Sequence, residues 1–229
     1  MCIRDSNKPT PAEIAYWGGY FFYHNRLHRN YQDDISLHYY LLASKDGITI
    51  GKRYFKHENN KEDYPFSPSG HNLYDNNSKL YYCRDFDNIV YQIHEDSVVP
   101  RFRINLPNPL PASMIEERPN EMSLLRSGYS LGITDIYEYG GLLFFRFVKD
   151  GYIWSCLYNV EESKQVYCAK RIKFLDSSLI DTIDGIYKDC FYSILTPEYL
   201  DYAFSENPLE DYPDLFKTYD VEGDNPVSY

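Results

Sequence analysis

One kind of segment recurs along this chain and limits the folds open to it. It is an apolar, aromatic run preceded by a tight turn and an alternating strand. The copies are Tyr20-Phe21-Phe22-Tyr23, Leu80-Tyr81-Tyr82-Cys83, Leu143-Phe144-Phe145 and Cys190-Phe191-Tyr192. The second copy opens the clearest stretch, Lys79–Leu106. Lys79–Cys83 reads as a strand and Arg84–Asn88 as a polar turn. Ile89–His94 then alternates, with Ile89, Tyr91 and Ile93 on one face and Val90, Gln92 and His94 on the other. After Glu95-Asp96-Ser97 the chain returns as Val98–Leu106, with Phe102, Ile104 and Leu106 on one face. Period-2 alternation in runs this short, rich in aromatic and β-branched residues, predicts half-buried strands.

The rest of the chain repeats that grammar. Gly18-Gly19 joins strand Ile14–Trp17 to Tyr20–His24, and Gly140-Gly141 joins Ser130–Tyr139 to Leu142–Val148. Paired glycines between apolar runs mark hairpins, because they permit positive φ. Ser36–Ala43 and Ile48–Phe55 complete one unit, and Asn72–Tyr74 begins the next. Tyr152–Asn159 and Gln165–Phe174 complete a third, and Leu179–Tyr187 with Cys190–Leu195 begins a fourth. Four antiparallel strands per unit, repeated with variable loops, predict an all-β chain with β-propeller architecture. The spacing exceeds the roughly 40–45 residues of compact propeller repeats. The long connections Lys56–Ser69 and Pro107–Arg126 account for the excess, the latter with one helical turn at Ala112–Glu117. A β-sandwich also has many short strands, but the four-strand grouping disfavours it. Pro197–Phe204 is the best helix candidate, with Thr196 as N-cap and Pro197 in the first turn.

A net charge of −11 argues against nucleic acid and against anionic membrane surfaces as partners. No apolar run reaches the roughly 18 residues of a transmembrane helix. Met1–Ser6 reads as a non-native leader and is set aside, leaving 7–229 as the domain. Cys83, Cys156, Cys168 and Cys190 fall in strands without metal-site spacing and read as small buried hydrophobes. The specific alternative is a cross-strand disulfide between Cys156 and Cys168, which flank the turn Glu161–Lys164.

The segment Leu80–Leu106 resembles the six-bladed β-propeller proteins of Bacteroidetes, related in fold to NHL and TolB-like propellers. Gly132–Glu138 is similar to the next blade of that family, Gly151–Tyr158 to its third strand, and Asp224–Val227 to the start of its last strand. The resemblance covers roughly 12–229. It implies about four blades of a longer chain, one that carries two more blades and a secretory or lipoprotein signal. It therefore implies a periplasmic or cell-surface location. It supplies no catalytic residues. The apolar faces near Ile14–Phe22 and Cys190–Leu195 would lack neighbouring blades. The chain as given is therefore expected to associate in solution, and the longer protein to be a stable monomer.

Five residues are candidates for ligand contact. Arg84, Asp85 and Asp87 lie in the turn between second and third strands, on the face where propeller loops gather. Asp135 and Asp184 lie on innermost strands, beside a central channel. Against a binding role for the turn stands the preference of Asp and Asn for bonding their own backbone. His24 and His28 stand i, i+4 without the Glu of H-E-x-x-H. Asp33-Asp34 and Asp211–Asp214 lack the spacing of a calcium loop. No phosphate loop, dinucleotide fingerprint or nucleophile elbow is present, and neither a cofactor nor a metal site is expected. Two functions stay open. One is a binding or scaffold module for a glycan, peptide or protein partner. The other is a propeller enzyme, a lyase or hydrolase, with a metal-assisted site in the channel. Acidic or His side chains from three or more blades meeting at the axis would favour the second.

Overall fold

The computed structural model describes residues 13–25, 38–57, 68, 71–76, 78–117, 119–170, 172–174, 177–180, 183–196 and 227–228. Three four-stranded antiparallel sheets succeed one another along the chain, each with its strands in sequence order. Blade 1 holds β1 (Glu13–Trp17), β2 (Tyr20–His24), β3 (Tyr39–Ser44) and β4 (Ile50–Lys56). Blade 2 holds β5 (Leu73–Asn76), β6 (Lys79–Cys83), β7 (Ile89–Ile93) and β8 (Val98–Arg103). Blade 3 holds β9 (Ser130–Tyr139), β10 (Leu142–Lys149), β11 (Tyr152–Asn159) and β12 (Lys164–Ala169). A hairpin of β13 (Ile172–Phe174) and β14 (Ser177–Ile180) leads to blade 4, where β15 (Gly185–Tyr187) pairs with β16 (Cys190–Tyr192). Directly after it, β17 (Ile194–Leu195) pairs with β18 (Val227–Ser228) in a two-stranded sheet of its own. First strands touch in the order β1, β5, β9, β15, as inner strands do around a propeller axis.

The sequence explains this arrangement locally. Gly18 and Gly19 take φ of 57° and 79°, and Gly140 and Gly141 take 56° and 76°. Positive φ at both central residues matches a two-residue hairpin to the right-handed twist of its strands. Each aromatic run is the second strand of its blade, paired on the inner side with the first and, in blades 1 to 3, on the outer side with the third. Along blade 2 the alternation separates two cores rather than core from solvent. Leu73, Leu80, Tyr82, Tyr91 and Ile93 pack with Phe22, Leu41 and Ala43 of blade 1. The intervening Tyr74, Tyr81, Cys83 and Val90 pack with Ile133, Ile136, Leu143, Phe145 and Phe147 of blade 3. The expectation of half-buried strands is corrected here: β6 has Leu80–Cys83 all buried, because a neighbouring blade covers each face. Outer strands are more exposed, and β8 accommodates Pro100 because an edge strand can spare a donor.

Three further expectations need correction. Gln165–Phe174 is not one strand: β12 ends at Ala169, and β13 turns back on β14. Pro107–Arg126 forms α1 (Ala112–Glu116) and a second short helix, α2 (Glu121–Leu125), capped by the Asn120 side chain. Leu124 of α2 is buried with Leu131 and Val148 under one end of blade 3. Of the four strand cysteines, Cys83 is a buried free thiol, Cys190 is exposed, and Cys156 and Cys168 are disulfide-bonded. The register of β11 on β12 sets those two residues directly opposite each other. The leader 1–6, the helix candidate 197–204, His28, Asp33-Asp34 and Asp211–Asp214 lie outside the described residues.

Candidate functional site

An open cavity of about 530 Å3 lies where the inner strands of blades 2, 3 and 4 converge. Asp75, Asp135 and Asp184 line it, one from each blade, together with His71, Tyr74, Tyr137 and Tyr192. The three carboxylates differ in what they hold. Asp135 accepts a charge-assisted hydrogen bond from Arg146 Nε at 2.8 Å, and a terminal guanidinium nitrogen forms an ion pair with it at 2.6 Å. Both reach Oδ2, so Arg146 leaves Oδ1 unengaged. Asp184 accepts the Ile194 N–H at 2.6 Å, also on Oδ2. Asp75 is exposed, and among the described residues its carboxylate has no hydrogen-bond or ion-pair partner. Partial desolvation raises its pKa above the ordinary carboxylate value.

Asp135 reaches this position through a backbone irregularity. Phe145 pairs with Ile136 and Arg146 with Thr134, so Asp135 is the extra residue of a β-bulge, at φ 47°. A bulge re-aims a side chain and breaks the ladder, and Asp tolerates the left-handed region better than most residues. The N–H freed from the ladder donates to the Tyr74 hydroxyl of blade 2 at 3.3 Å. Tyr137 repeats the arrangement one blade on, donating to the Asp184 carbonyl at 3.1 Å. Burial, with Asp135 and Asp184 nearby, pushes the Tyr137 hydroxyl up to about 12, so it stays protonated.

The strand registers reveal a repeat that the aromatic runs only hint at. Ala15 pairs with Phe22, Tyr74 with Tyr81, Tyr137 with Phe144 and Ile186 with Phe191. Two residues before these inner-strand positions stand Glu13, Asn72, Asp135 and Asp184. Each stands at or near an inner strand and bonds a protein group of a neighbouring strand or blade. Glu13 accepts the N–H groups of Asn72 and Leu73 at 2.6 and 2.9 Å. Asn72 donates to the Cys83 carbonyl at 2.9 Å. The two aspartates thus share a structural task with Glu13 and Asn72, and two of the four also face the cavity.

Arg84, Asp85 and Asp87 do not line it. Arg84 donates to Asp87 Oδ2 at 3.1 and 2.7 Å, and its guanidinium lies over the rings of Tyr40 and Phe55 in blade 1. Asp87 Oδ1 accepts the N–H groups of Asn88 and Ile89 at 2.7 and 3.2 Å. The Asp87 carbonyl accepts the Ile133 N–H of blade 3, and Asp85 accepts from Asn72 at 3.3 Å. This turn is wedged between blades 1 and 3. A Cβ on Gly132 would lie 2.7 Å from the Phe86 backbone, so glycine is what permits the close approach.

Sequence reasoning missed Asp75, His71 and the tyrosines. For Asp75 the signal was available, since it lies within the short inner strand begun at Asn72–Tyr74. Among the described residues no three His, Cys, Asp or Glu side chains lie close enough to hold a metal ion, and no helix is long and apolar enough to cross a membrane.

Comparison with known proteins agrees with the geometry. None of the curated proteins matches the chain. A crystal structure of a Bacteroides fragilis protein, named as a candidate exported protein, superposes with a TM-score of 0.72 at 13% identity. The match covers 96% of this chain and 64% of that one, so the chain spans less than two thirds of the relative's length. The profile of the family DUF5128, described as a 6-bladed beta-propeller, matches residues 14–178. With the blades and their axial cavity in view, that match shows that the chain belongs to this 6-bladed beta-propeller family.

Proposed function

We propose that the protein is an exported binding module whose axial cavity takes a polar, donor-rich ligand, a glycan segment or a short peptide. One observation carries this: carboxylates from three successive blades, Asp75, Asp135 and Asp184, line a single cavity beside aromatic rings. A cavity of a few hundred Å3 with a small number of placed polar groups is what small-ligand sites require. The unengaged carboxylate oxygens are acceptors, so the complementary ligand brings hydroxyl or amine donors. Tyrosine faces suit the apolar side of a sugar ring or an aliphatic stem. The turn Arg84–Asn88 serves this reading indirectly, by fixing blade 2 between its neighbours. Two observations support export to the periplasm or cell surface: the name of the Bacteroides fragilis relative, and a cross-strand disulfide, which persists in oxidising compartments.

A second reading is an enzyme with a metal-assisted site in the channel. It is the weaker of the two because, among the described residues, the three carboxylates line one cavity without coming close enough to share a metal ion, and Asp135 and Asp184 already hold donors of the protein itself. Calorimetric titration of the chain against glycan and cationic-peptide panels, with and without divalent metal, tests both. The binding reading expects a ligand whose affinity falls roughly tenfold in Asp75→Asn, the loss of one charge-assisted bond, and is indifferent to chelator. Turnover that requires metal would favour the enzyme. Ligands that bind Asp75→Asn as well as wild type would remove the cavity from the account.

A further inference from the structure

We infer that the Cys156–Cys168 disulfide is a redox latch on the outer edge of blade 3: it fastens β12 to β11, and its reduction releases β12 while the rest of the blade stays folded. The two cysteines face each other across the outermost strand pair, with Cα atoms 4.1 Å apart. Among the described residues, β12 pairs only with β11, and its first half packs on nothing else. Lys164, Gln165 and Val166 are exposed, and the ladder to β11 shifts register between Leu157 and Tyr158. Cys168 is the β12 residue that packs on the core between blades 2 and 3. The buried side chains blade 3 gives to that core, among them Ile133, Ile136, Leu143, Phe145 and Phe147, stand on β9 and β10, with Cys156 on β11. Opening β12 therefore leaves that core in place. Strands with few buried contacts and exposed backbone bonds are the ones that open locally.

Access is one-sided. Cys156 is 4% exposed, whereas Cys168 is half-buried and is the more accessible residue of the pair. A dithiol reductant supplies two electrons and two protons. The Cys156–Cys168 bond breaks to give two thiols, and the dithiol becomes a disulfide. Neither free cysteine among the described residues can replace a partner. Cys83 is buried in blade 2, where desolvation pushes its thiol well above the ordinary value, and Cys190 is on β16 of blade 4. The released state would present the outer edge of β11 as an unpaired strand, a template for pairing with another chain.

Hydrogen exchange with mass spectrometry on the full chain, oxidised and in dithiothreitol, tests the latch. Exchange across 164–169 should rise by about tenfold or more on reduction, while β6 and β10 peptides change less than about twofold. Reoxidation by oxidised glutathione should restore protection. Cys156→Ser/Cys168→Ser should exchange rapidly at β12 with or without reductant. Unchanged β12 protection in the reduced protein would overturn the proposal. So would loss of protection in all blades together, or a redox response that survives the double substitution.

Discussion

The two faces of blade 2 are built from different chemistry. Toward blade 1 the buried interface is aromatic, with Glu13 and Lys52 making polar contacts to blade 2 at its margin. Tyr82 stacks on Phe55 with ring centroids 5.5 Å apart, Phe55 meets Tyr91 at 4.6 Å, and the Tyr82 hydroxyl lies 3.1 Å from His24 Nδ1. Toward blade 3 a comparable apolar core carries a polar margin. The buried Asn76 side chain mimics a peptide group, donating to the Ile136 carbonyl at 3.0 Å and accepting the Glu138 N–H at 2.7 Å. Glu138, with 9% of its side chain exposed, accepts from Lys79, Arg101 and the Tyr81 hydroxyl. Ring packing is tolerant of small displacements. Asn76 and Glu138 accept only one register of β5 against β9. That register places Tyr74 under Asp135, and so helps set the cavity wall.

The largest expected effect lies on the aromatic side. Tyr82→Ala should cost roughly 4 kcal/mol of stability, the range for deleting a fully buried aromatic side chain, read from urea denaturation. Tyr82→Phe should recover most of it if ring packing, rather than the hydroxyl, carries that interface. On the polar side, Asn76→Ala should cost about 2 kcal/mol, because it strands a buried carbonyl and N–H on β9. The same substitution should weaken any cavity ligand, whereas Tyr82→Phe should not. Equal effects of both on ligand affinity would erase the distinction between the two faces.

The smallest effect is electrostatic and depends on pH. Burial alone would raise the Glu138 pKa, but bonds from Lys79, Tyr81 and Arg101 outweigh it and hold the carboxyl below its ordinary value. A group with a depressed folded-state pKa contributes stability above its unfolded pKa and loses that contribution as pH falls through the folded one. Wild type should therefore exceed Glu138→Gln by about 1 kcal/mol near neutrality, a screened, partly exposed network. The gap should close below the ordinary glutamate range, near pH 4. Thermal melts across that range check it, and a gap that persists in acid would assign the effect to packing.

Much of this architecture is legible in the residues. Ser130–Tyr139 and Tyr152–Asn159 have the strand limits expected of them, because glycine-bearing turns and dense aromatic runs leave little freedom. The break between Ala169 and Ile172 is not legible, since Lys170-Arg171 holds no glycine, proline or asparagine to mark a turn and the reversal depends on pairing with β14. Helix α2 could have been read from Asn120, whose side chain accepts the Ser123 N–H. The candidate cavity is legible only in part. Asp135 and Asp184 precede apolar inner-strand residues and were placed beside the channel by that pattern. Arg84, Asp85 and Asp87 have the composition of a binding loop, yet Arg84 and Asp87 are paired with each other. Only distances between blades separate the two cases. The place of Asp75 on an inner strand is legible, but that its carboxylate has no hydrogen-bond or ion-pair partner among the described residues is not.

The central claim is that the cavity between blades 2, 3 and 4 is where this protein meets its ligand. Backbone hydrogen exchange with and without a ligand found in the panels tests it most directly. Protection is expected at 71–75, 134–137 and 184–192, on inner strands of three blades at once, with the outer strands β8 and β12 unchanged. Protection confined to those outer strands, or to the turn 84–88, would contradict it.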